Sequence, residues 1–204
     1  MSHSISLTPE AFTLVKYDAA ELLAIAEAAA TSVGVPDDVA ISIEVDEALP
    51  NPLIASLVDD VDGTLTCWFT GGTFEDPQRQ AELQRDTAKV ELAAAFLRGR
   101  DRLGGGFEGA PPDGEISDRQ RAIWDVYTDG RLARQGYRLN QARRRYAYRL
   151  QAGFNDVADA EYEQAWVAGA MSWDALLAVE ARLADADPRP VSKKPIRRES
   201  LRPS

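Results

Sequence analysis

The chain has 204 residues, of which 45% are hydrophobic and 27% charged, and a formal net charge of −10. Those values fit a soluble globular protein of one domain, or one domain with an appended subdomain. The sole histidine, His3, stands in an N-terminal segment expected to fray, and Cys67 is the sole cysteine; this excludes Ser-His-Asp and Cys-His catalysis, a Cys/His zinc site and an internal disulfide.

Thr8-Pro9-Glu10 reads as a helix start, with Thr as N-cap and Pro at the first helical position, followed by a short helix or turn through Phe12 and Leu14. Asp18 caps a better helix, whose apolar face runs from Leu22 to Val33 and stops at Gly34 and Pro36. Val39, Ile41, Ile43 and Val45 alternate with Ala40, Ser42 and Glu44, the period of a half-buried strand. Pro50 and Pro52 interrupt the chain. Strands over about 53–60 and 64–70 follow, joined at Asp62-Gly63, a dipeptide suited to a tight hairpin. That turn predicts Val58 opposite Cys67, Asp60 opposite Leu65, Ser56 opposite Phe69 and Leu57 opposite Trp68. The three strands then form an antiparallel meander with one face on helices.

Everything after Gly72 reads as helical. A helix is expected over 77–103, then a loop holding Gly104-Gly105-Gly106 and Pro111-Pro112. Ser117 and Gln120 have the spacing of a capping box, opening a long helix to about Leu150 with interruption expected at Gly130 or Gly136. Further helices are expected over 158–168 and after Ser172. The tail from Pro188, with four prolines and six basic residues, is expected to be disordered. The expected units are an α+β domain over 1–110, a helical region over 116–187 packed on it, and the basic tail over 188–204.

Charge is unevenly distributed. Residues 1–130 carry −15, residues 131–149 carry +7 with seven arginines and no acid, residues 150–187 carry −7, and the tail carries +5. An acidic body repels nucleic acid and anionic membrane at long range, which argues against both as partners. No apolar run approaches a membrane span, and the opening residues lack the pattern of a signal peptide. With a lone cysteine, this favours the cytoplasm. Richness in Ala, Arg, Asp and Gly has the look of a high-GC bacterial coding bias.

Asp60-Val61-Asp62-Gly63-Thr64-Leu65 resembles the first motif of the haloacid-dehalogenase superfamily. The resemblance implies Asp60 as phosphoryl-accepting nucleophile, Asp62 as general acid/base, and magnesium beside them. It covers six residues. The family's later strands would have to deliver a Ser/Thr, a Lys and an acidic pair, and no strand is expected after Phe69. The order helix, meander, long helix is similar in layout to small zincin-type metallopeptidases, but the segment Glu82 to Glu91 lacks their His-Glu-x-x-His.

Arg134, Arg138, Arg145 and Arg149 fall on one stripe of a continuous helix, with Leu132, Leu139 and Tyr146 on another and Leu150 near it. The stripe could contact phosphate or nucleic acid, with Tyr137, Tyr146 and Tyr148 stacking. Alternatively the Leu/Tyr face packs, while the arginines pair with the acids Glu44, Asp46, Glu47, Asp59, Asp60, Glu75 and Asp76. Those acids could also hold Mg²⁺ or Ca²⁺, although solvated strand ends are the commoner role for such groups. Cys67 and the tryptophans Trp68, Trp124, Trp166 and Trp173 read as packing residues.

The sequence therefore reads as a helix-rich α+β protein. Its leading expected role is non-catalytic: an interaction protein with an unidentified protein partner, contacting it through the arginines or the acidic sheet edge. No cofactor or metal is called for. A magnesium-dependent phosphohydrolase using Asp60 and Asp62, and a phosphate or nucleic-acid binder using the arginines, are the alternatives.

Overall fold

The computed structural model describes residues 3–49, 57–61, 63–76, 79–104 and 106–188, without the side chains of Leu57, Asp60, Val61, Asp76 and Gln80. The expected tail beyond Pro188, residues 53–56 and Asp62 lie outside the described residues. The chain divides after Leu103 into two units.

The first unit is built on β1 (Ile5–Thr8), α1 (Ala19–Val33), β2 (Ala40–Asp46), β3 (Leu57–Val61) and β4 (Thr64–Thr70). Asp18 caps α1 by accepting the N–H groups of Ala20 and Glu21, and Gly34 ends it at φ 73°. A strand, a returning helix and a second strand lay β1 and β2 parallel. The expected hairpin forms: β3 and β4 are antiparallel, with Val58 opposite Cys67, Asp60 opposite Leu65 and Leu57 opposite Trp68.

The sheet is nevertheless not a meander. It is a mixed four-stranded sheet in the order β1-β2-β4-β3, with β4 inserted parallel to β2. Burial explains the insertion. Leu65, Thr66, Cys67, Phe69 and Thr70 are all buried, so β4 suits a central position. The strand carrying Asp59-Asp60 suits an edge, where charge discourages further pairing. Leu7, Ile41, Ile43, Val45, Leu65, Cys67 and Phe69 are buried on one face of this sheet.

Three other expectations are corrected in this unit. Thr8-Pro9 ends β1 and starts no helix; residues 9–16 form bends held by Glu47, whose Oε2 accepts N–H from Thr13, Leu14 and Val15. The segment after Gly72 is not all helical, because β5 (Glu75–Asp76) and β6 (Arg79–Leu83) pair antiparallel before α2 (Arg85–Gly104). His3 is not frayed but 7% exposed, its ring between Glu27 and the Val35 carbonyl.

α2 carries the buried residues Ala88, Leu92, Ala93, Phe96 and Leu97. Gly99 in its last turns lies against Leu65, so close that an added Cβ would come within 2.3 Å of that side chain.

The second unit is helical: α3 (Asp118–Arg134), α4 (Gln141–Ala152), α5 (Asp156–Val167) and α6 (Trp173–Ala186). The capping box forms as expected, Ser117 Oγ accepting the Gln120 N–H and Gln120 Oε1 accepting the Ser117 N–H. Asn140, Asn155 and Ser172 cap the other three helices. The expected long helix is two helices, broken at Gly136 with φ 89°. Gly130 instead stays helical. It allows α3 to meet α5, since a Cβ there would sit 2.0 Å from the Trp166 carbonyl oxygen. The core gathers Phe107, Trp124, Tyr127, Tyr148, Tyr162 and Leu176, with Phe107 and Trp124 stacked at 4.3 Å. Among the described residues no helix is long and apolar enough to cross a membrane.

Candidate functional site

Asp60 belongs to the edge strand β3, and Asp62 and the side chain of Asp60 lie outside what is described. The strand after the acidic pair turns straight back, with Val61 opposite Thr64 and Gly63 at φ 77°. A phosphoryl-transfer site of the haloacid-dehalogenase kind needs a parallel strand reached through a crossover, whereas a two-residue loop gives an antiparallel one. Nearby, Asp59 lies 3.9 Å from Arg102 Nη2. Glu44 accepts the indole N–H of Trp68 at 2.8 Å. Asp46 caps the N–H of Ala48. Among the described residues no group of three His, Cys, Asp or Glu side chains could hold a metal ion.

The break at Gly136 divides the four candidate arginines. Arg134 ends α3, Arg138 lies in the connection, and Arg145 and Arg149 belong to α4. Arg134 donates to the carbonyls of Trp166 and Ala168, 2.6 Å each, satisfying acceptors at the end of α5. Arg145 pairs with Glu163 and stacks over the Tyr162 ring. Arg149 grips Asp159 with both Nε and Nη2. The fork geometry holds the Asp159 carboxyl below its ordinary range, because Arg149 bonds its ionised form. Arg144, which sequence reasoning did not single out, reaches both Asp125 and Asp129 of α3. Among the described residues the acids that pair with these arginines belong to α3 and α5. Arg138 is exposed, as is Arg143 at the start of α4.

This pairing decides which side of α4 faces out. Tyr148 and Ala152 are buried, Tyr148 against the Tyr162 ring at 5.5 Å. Burial pushes the Tyr148 hydroxyl well above its ordinary value. Tyr146 and Leu150, one turn apart, point the other way and are 60% and 50% exposed. Phe154 (59% exposed) meets Tyr146 edge-on at 6.1 Å, and Val157 at the start of α5 is 40% exposed. Of the face expected to pack, Leu132 is buried and Leu139 half-buried, whereas Tyr146 and Leu150 lie on the surface, where two residues that sequence reasoning missed stand beside them. The available signal was Gly136: once the helix breaks there, the seven-residue spacing of Leu132, Leu139 and Tyr146 no longer describes one stripe.

Exposed apolar side chains are ordinary when scattered; four neighbouring ones, two of them aromatic, form a patch of the kind that marks a contact site. Comparison with protein-family models, curated proteins and solved structures found no match for this chain.

Proposed function

We propose that this chain is a non-catalytic interaction protein, which docks a partner protein on the outward face of α4 and the start of α5. The observation that carries this reading is the exposure of Tyr146, Leu150, Phe154 and Val157 together, beside a helix whose Arg144, Arg145 and Arg149 pair with acids of α3 and α5. Aromatic side chains with arginine at the rim are favoured at protein interfaces, and Arg138 and Arg143 supply that rim. The partner's matching surface is apolar with acidic flanks. A cytoplasmic setting belongs to the same reading and rests on the single cysteine of the sequence.

The pairing of Arg134, Arg145 and Arg149 within the second unit leaves fewer cations for phosphate, which weighs against a nucleic-acid role for the same helix. The hairpin geometry lends no support of its own to a phosphohydrolase.

A photo-crosslinking residue at exposed Ala147, between Tyr146 and Leu150, tests the reading in cells. A discrete protein adduct is expected there and none from exposed Asp38 in the first unit. Equal yields at the two positions would contradict it.

A further inference from the structure

The parallel strands β1, β2 and β4 end on the same edge of the sheet, at Thr8, Asp46 and Thr70. A pocket of about 380 Å³ opens at that edge, lined by these residues and their neighbours. Ligands of parallel sheets settle at the carboxyl ends of the strands, and small-molecule pockets start at roughly 300 Å³. Its apolar lining comes from Pro9, Leu14 and Leu49, with Trp68 beside them.

The charge on this pocket is negative. Glu44, Asp46 and Glu47 line it; Glu44 accepts the Trp68 indole N–H, and the groups bonded to the other two carboxylates are backbone N–H groups: that of Ala48 for Asp46, and those of Thr13, Leu14 and Val15 for Glu47. Such bonds fix the position of a carboxylate without cancelling its charge. Held carboxylates at a partly apolar, indole-bearing hollow match a cation on a hydrocarbon stem. The cation would meet the carboxylates and the stem the walls, with the indole adding cation–π attraction. Among the described residues no cluster suits a metal ion, which a hydrocarbon-walled hollow would also desolvate poorly.

We infer that the pocket at the carboxyl edge of β1, β2 and β4 binds a small organic cation, a primary ammonium on an apolar stem, through Asp46, Glu47 and Trp68. The Trp68 indole N–H, held by Glu44, gives a built-in reporter in ¹H–¹⁵N spectra, assigned by its loss in Trp68→Phe. The full chain is titrated with hexylammonium, with neutral hexanol and with hexanoate. A saturable shift of that resonance with hexylammonium alone is expected, weakened about tenfold for each charge removed in Asp46→Asn and Glu47→Gln. Asp46→Asn keeps the oxygen that caps Ala48, and spectral dispersion reports whether each variant folds. The three isosteric ligands on the unaltered chain decide the matter independently of either variant. No saturable shift, or equal binding of hexanol or hexanoate, would overturn the inference.

Discussion

Gly130 and Gly99 are glycines because something occupies the place of a side chain, and the two obstacles differ. At Gly130 the obstacle is the backbone of Trp166, with the carbonyl oxygen 2.0 Å from where a Cβ would stand. At Gly99 it is the Leu65 side chain, which can shift rotamer. Gly130→Ala is therefore expected to destabilise by about 3 kcal/mol and Gly99→Ala by about 1 kcal/mol, at the two ends of the overpacking range, read from urea midpoints. The reverse order would contradict the account of the α3–α5 contact. His3 carries a pH dependence. Burial opposes its charged form, but the Val35 carbonyl and the Glu27 carboxylate face its two ring nitrogens, Asp37 lies 3.6 Å away, and together these raise its pKa. A raised folded-state pKa stabilises fully below the unfolded value of about 6.5, and the stabilisation is lost as pH rises through the folded value. Chemical denaturation of the wild type minus that of His3→Gln should fall across this window; a difference that is flat or grows with pH would refute the clamp.

At the scale of elements, α4 is oriented by ion pairs as much as by apolar burial. Asp129 is 5% exposed and is bonded by Arg144. Removing that guanidinium leaves a buried carboxylate short of a donor, so Arg144→Ala is expected to cost about 1–3 kcal/mol, while Arg143→Ala stays within about 0.5 kcal/mol. Equal costs would show that the inward pairing does not hold the helix. Helices were legible where a cap marked them: Asp18 and Gly34 for α1, Ser117 with Gln120 for α3, and Ser172 for α6. The β3–β4 register was legible because Asp62-Gly63 is a local signal. The pairing of β2 with β4 was not, since alternation shows which face a strand buries and not which strand it meets. β6 was hidden by its composition: Arg79-Gln80-Ala81-Glu82-Leu83 favours helix, and only tertiary pairing holds Ala81 at φ 64°. β1 was hidden by Thr8-Pro9-Glu10, which imitates a helix start. In the candidate site Tyr146 and Leu150 were visible but assigned to the interior, and the arginines were visible without their partners, because pairing across helices is a property of the fold.

At the scale of the whole molecule, the uneven charge along the chain becomes local compensation in the second unit. The arginines of 131–149 meet acids on either side of them in sequence, Asp125 and Asp129 before, Asp159 and Glu163 after. What this arrangement leaves outward is apolar, and the account stands or falls on that face being free of a structural duty. The direct measurement is the double substitution Tyr146→Ser/Leu150→Ser, followed in parallel for urea stability and for the crosslinked adduct from Ala147. The account predicts a stability change within about 0.5 kcal/mol, as for a surface site, together with loss of the adduct. A loss of more than about 1 kcal/mol with the adduct intact would contradict it, and would return that face to the interior of the protein.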